Sequence, residues 1–78
     1  MNAENVNIEL TKEQAIVLFE FLGRFNDNDD LNRIEDQSEQ LVLWGIECLL
    51  EKELSEPFRA DYLEILKKAR ETVRDEKE

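Results

Sequence analysis

The chain has 78 residues, which is room for one domain at most, and a domain of that size buries only roughly 60–65% of its unfolded surface. Twenty acidic residues against 10 basic ones give a formal net charge of −10, which repels nucleic-acid phosphates and anionic membranes and argues against direct binding to either. With no histidine, one cysteine and two glycines, the chain has no imidazole base, no internal disulfide and no glycine-rich phosphate loop.

Hydrophobic residues make up 41% of the chain, enough for a packed core, so disorder of its middle is rejected. Charged residues at 38% beside so little Gly and Pro point to a mostly helical chain with few turns. The acidity is uneven: residues 1–66 carry 16 acids and 5 bases, whereas residues 67–78 carry 4 and 5. A lone Cys48 fits a reducing cytosol. No apolar run approaches the roughly 18 residues of a membrane span, and no basic-then-apolar leader opens the sequence. A cytoplasmic location is expected.

Met1 to Asn5 is polar and expected to fray. From Asn5 to Leu10 the chain alternates, with Val6, Ile8 and Leu10 on one side and Asn7 and Glu9 on the other, a short strand pattern. A strand needs a partner for its backbone groups. The candidates are Leu31–Glu35 and the same segment of a second copy.

Thr11, with Gln14 three residues on, forms a capping box and opens a helix over Lys12–Phe25. Its polar face is narrow (Glu13, Glu20, Arg24), while Ala15, Leu18, Phe19, Phe21, Leu22 and Phe25 cover a wide arc flanked by Ile16 and Val17. Such a helix is largely buried. Gly23 near its end marks either an early finish or a close approach by another helix.

Asn26–Asp30 is a polar loop, and the state of the short segment from Leu31 stays open. Within it, Asn28, Asp30, Asn32, Asp36 and Glu39 match positions 1, 3, 5, 9 and 12 of a calcium-loop spacing. Asn replaces the usual Asp at position 1, and Arg33 stands where the sharp turn requires glycine. A solvated loop before a capped helix is expected instead, with no metal and no cofactor.

Asp36 and Glu39 repeat the capping-box spacing and open a second helix that ends at Leu54. On a wheel of about 100° per residue, Val42, Leu43, Ile46, Leu49, Leu50 and Leu54 fill a broad apolar arc. Leu41, Trp44 and Cys48 form a second, narrower stripe. A helix with two apolar faces touches something on two sides, so it is expected in the middle of the bundle. Ser55-Glu56-Pro57 breaks the helical pattern, and Phe58 is expected to tuck against the core. A third helix over Asp61–Arg74 carries one clean stripe: Tyr62, Ile65, Leu66, Ala69 and Val73. Residues 75–78 are expected to fray. The sum is a single all-α domain over 1–78, three helices with a short N-terminal extended or β segment.

The segments EDQSEQLVLW and ECLLEKEL followed by EPF, within Ile34–Trp44 and Glu47–Phe58, resemble those of short uncharacterised bacterial proteins that begin with a TKEQA-type helix. The resemblance implies a bacterial or phage origin and a small helical domain. It carries no catalytic or binding motif.

Cys48, mid-helix and without a base nearby, is expected to be a buried structural thiol, and close carboxylate pairs arise by chance among so many acids. No enzyme and no small-molecule substrate are expected. The stripe Leu41, Trp44, Cys48 is covered either by another part of the chain or by an interface, where Trp often anchors contacts. An interface makes a homodimer the expected form, with Val6 and Ile8 joining it. The other expectation is an acidic inhibitor or immunity-type protein that blocks a basic nucleic-acid site on a toxin, nuclease or phage-defence enzyme. Asp27, Asp29, Asp30, Glu35, Asp36 and Glu39 would then stand in for phosphates.

Overall fold

Thr11 does at the start of the first helix what its spacing from Gln14 predicts. Its hydroxyl accepts a hydrogen bond from the Gln14 backbone N–H at 3.1 Å, and the Gln14 side-chain oxygen accepts from the Thr11 N–H at 2.9 Å. The computed structural model of the chain describes residues 4–27 and 33–75. It is all-α: α1 (Lys12–Asp27), α2 (Gln37–Glu53) and α3 (Tyr62–Asp75), with one 3-10 turn at Glu56–Phe58 between the last two. Residues 4–11 precede α1 outside regular secondary structure, and their side chains are exposed.

At the second cap, the Asp36 carboxylate accepts from the Ser38 N–H at 2.8 Å, while Glu39 accepts from the Glu35 N–H at 2.9 Å, one residue before the cap. Asp36 thus satisfies an N–H that the first turn leaves without a partner, and Glu39 satisfies one just outside the helix.

The helix in the middle is α1, not α2 as its two apolar faces suggested. α1 packs against both α2 and α3, whereas α2 and α3 barely touch. The wide apolar arc of α1 is what two neighbours cover: Ala15, Ile16 and Leu22 are buried, and Val17, Leu18, Phe19 and Phe25 are half-buried. The core joins Ala15 and Ile16 to Leu66 and Ala69 of α3 and to Leu54 beyond α2, with Leu50, Tyr62 and Ile65 packed around them. The α3 stripe faces this core as its spacing predicts. No residue of α2 itself is fully buried.

Of the two alternatives at Gly23, the early finish does not occur: α1 runs on to Asp27. Glu47 of α2 lies over the glycine, where an added Cβ would stand 3.7 Å from Glu47 Oε2, ordinary contact. The same carboxylate accepts a 2.7 Å hydrogen bond from the Asn26 side-chain amide. Phe58 does not tuck inward; it is 72% exposed. No residue of the 3-10 turn is buried, and Leu54, two residues before it, joins the core instead.

Two further polar ties hold the elements after α2 to α1. Lys12 and Glu56 pair at 2.9 Å, and this hydrogen bond holds the Glu56 carboxyl below the ordinary carboxylate range. The Tyr62 hydroxyl donates to Glu20 Oε1 at 2.9 Å. Burial first, then the hydrogen bond to Glu20 and its negative charge, push the Tyr62 phenol up to about 12.

Two predictions follow from the packing. Ile16, among the most deeply buried side chains, should cost roughly 2–5 kcal/mol when cut to alanine. Chemical denaturation checks this, and a loss under about 0.5 kcal/mol would show that Ile16 is not core. Tyr62 is the one tyrosine, so ultraviolet absorbance follows its ionisation alone. The midpoint should fall near 12 in the folded chain and return to about 10 in denaturant. Because the folded state holds the proton more tightly, this stabilisation is complete below about pH 10 and is lost as pH rises through about 12. A folded-state midpoint near 10 would mean that Tyr62 is neither desolvated nor bonded to Glu20.

Candidate protein-interaction surface

α2 is apolar almost all the way round, so the neighbour it has, rather than its periodicity, decides which residues are covered. α1 lies antiparallel to it: Phe25 near the end of α1 lines a groove with Ser38, Val42 and Leu43, whereas Lys12 and Ala15 lie with Leu50, Glu53 and Leu54. The side turned to α1 carries Leu43, Glu47 and Leu50, all half-buried, and leads to the buried Leu54. Everything apolar on the other side faces solvent. Leu41 is 54% exposed, Val42 59%, Trp44 43% and Leu49 63%; Ile46 is also exposed.

Sequence reasoning found half of this face. Leu41 and Trp44 lie on it as the narrow stripe suggested, and so does Cys48, whose thiol is exposed rather than buried in the core. Val42, Ile46 and Leu49, assigned to the opposite arc, are on the exposed side as well. The misassignment follows from Glu47, an acid in the middle of the covered side, where its bond to Asn26 and its place over Gly23 hold it. An acid at that position made the covered side look like a border between two apolar arcs.

Val6 and Ile8 are exposed. Ile8 and Leu10 line a groove with Ala15, Leu50 and Leu54, at the end of α2 furthest from Leu41. Ile8, but not Val6, thus borders a groove that α2 also lines, on the side of Leu50 rather than that of Trp44.

Of the six acids singled out, Asp29 and Asp30 lie outside the described residues. Asp27, Glu35, Asp36 and Glu39 are exposed and share the end where α1 finishes and α2 begins. Asp36 is held below the usual carboxylate range by its hydrogen bonds to Ser38. Asn28, Asp30 and Asn32 of the calcium-like spacing lie outside the described residues. Among the described residues, no group of three or more His, Cys, Asp or Glu could hold a metal, and no helix is long and apolar enough to cross a membrane.

A second exposed aromatic feature had no signal in the sequence. Phe21 stacks on Phe25 with ring centroids 5.8 Å apart, and the Arg24 guanidinium lies 5.7 Å from the Phe21 ring centroid. Both Phe residues and Arg24 sit at helical spacing, but only the packing of α1 shows which of them face out.

Comparison with protein-family models, curated proteins and solved structures gives no match.

Proposed function

We propose that this is a small acidic bacterial protein of the cytoplasm that works by protein–protein contact, with no catalysis of its own, and that its first partner is a second copy of itself. One observation carries the proposal: a 17-residue helix with no fully buried residue and an apolar outer side of Leu41, Val42, Trp44, Cys48 and Leu49 turned to solvent. Burying one Leu, Val or Phe-sized side chain is worth about 1.5–3 kcal/mol, and a domain this small has few other ways to enlarge its core. An isologous contact covers both copies at once. Ile8 and Leu10 add exposed apolar side chains at the C-terminal end of α2.

The test is molar mass by light scattering on a sizing column, across micromolar concentrations. Wild type should elute at twice 9.3 kDa. Trp44→Glu should elute at the single-chain mass with its far-ultraviolet circular dichroism unchanged, its dissociation constant raised at least ~30-fold. A monomeric wild type removes self-association. A Trp44→Glu chain that unfolds makes Trp44 core.

The acidic end supports a second reading, that of an inhibitor that covers a basic nucleic-acid site. Asp27, Glu35, Asp36 and Glu39 gather there without a described salt bridge among the ion pairs at Lys12–Glu56, Arg59–Asp61 and Arg74–Asp75. Binding to such a partner should weaken at least ~10-fold between low and high salt and yield to competing DNA. Salt-insensitive binding lost on Trp44→Glu would exclude it.

A further inference from the structure

The outer side of α2 has a centre, and the residue there is a glycine. At about 100° per residue, Gly45 lies midway across the exposed arc, ringed by Leu41, Val42, Cys48 and Leu49, each exposed. Nothing in the chain requires a glycine there: an added Cβ would meet no atom within 4 Å. Glycine inside a helix costs about 1 kcal/mol relative to alanine. A gap in the middle of a ring of exposed apolar side chains is what a second helix needs in order to approach closely.

We infer that α2 pairs with α2 of a second copy, antiparallel, with the two-fold axis at Gly45. The inference rests on the self-association proposed above and adds its geometry. With the axis at Gly45, Leu41 lies opposite the partner's Leu49 and Val42 opposite the partner's Cys48, so apolar meets apolar over the middle of the seam.

Charge selects the direction. Lys52 lies on the same side of α2 as Gly45, near its C-terminal end, and is exposed. A parallel pair would set Lys52 beside its own copy, with Glu51 and Glu53 of both chains gathered at one end. The antiparallel pair sets it opposite the partner's Ser38, at the end where Glu35, Asp36 and Glu39 supply negative charge. Antiparallel helices also oppose their dipoles.

Disulfide capture tests the geometry. Where two helices cross at a separation of 8–10 Å, the Cα atoms at the crossing lie roughly 4–5 Å apart, within disulfide range. Position 48 lies three residues from the axis in each copy, so its Cα atoms are separated by about 9 Å along the helices, beyond the limit of about 7 Å. Mild oxidation should therefore convert most of a Gly45→Cys, Cys48→Ser chain to a covalent dimer on a non-reducing gel and leave wild-type Cys48 unlinked. Gly45→Leu, which the open space around Gly45 accommodates in the single chain, should weaken the dimer at least ~10-fold, one factor of 1.4 kcal/mol, without loss of helix content.

Ready linking through Cys48 would overturn the antiparallel register. A wild type that runs as a dimer by light scattering, with neither thiol position linking and Gly45→Leu without effect, would overturn the crossing at Gly45 and leave the self-association standing. A monomeric wild type would remove both.

Discussion

Of the three helices, α1 alone packs against both of the others. The structure depends on that allocation. Ala15, Ile16 and Leu22 are buried because neighbours lie on both sides of α1. α2 and α3 barely touch each other, so each has one face on α1 and the rest in solvent. For α3 this matters little: apart from Leu63, which is 76% exposed, its apolar residues form a single stripe, and the rest are charged residues and Thr72. For α2 it leaves a whole apolar side without a neighbour. The exposed surface of α2 is therefore a consequence of which helix sits in the middle.

The ends of the elements were legible in the sequence because their causes are local. Thr11 with Gln14 and Asp36 with Glu39 sit within a few residues of the N–H groups they satisfy. The break after Leu54 follows from Pro57 in the same way. The covered face of α3 was legible because a single stripe admits one answer.

The central helix and the covered side of α2 were not legible, and the reason is also physical. Both α1 and α2 carry more apolar surface than one contact needs, so either could have taken the middle on periodicity alone. The choice rests on contacts between residues far apart in sequence, such as Asn26 with Glu47 and Glu20 with Tyr62. Glu47 misled most. It is a charged residue on the covered side, satisfied by a side-chain amide on α1, and a wheel that sorts by polarity places it on a border. Phe58 misled in the opposite direction, as an aromatic that the geometry of one 3-10 turn leaves outside.

An exposed apolar side on a strongly acidic chain sets two requirements against each other. Net charge keeps copies apart at long range, while the apolar side of α2 favours contact at short range. Screening at physiological salt confines the repulsion to about 8 Å, a distance smaller than the 25 Å or so that 17 helical residues span. Between Leu41 and Leu49 the one charged residue of α2 is Glu47, which lies on the side turned to α1, and other acids gather at the α1–α2 end. Contact along the middle of α2 therefore meets little of the chain's charge. The proposed contact thus lies where apolar side chains outnumber carboxylates, and the long-range repulsion acts mainly through the rest of the surface.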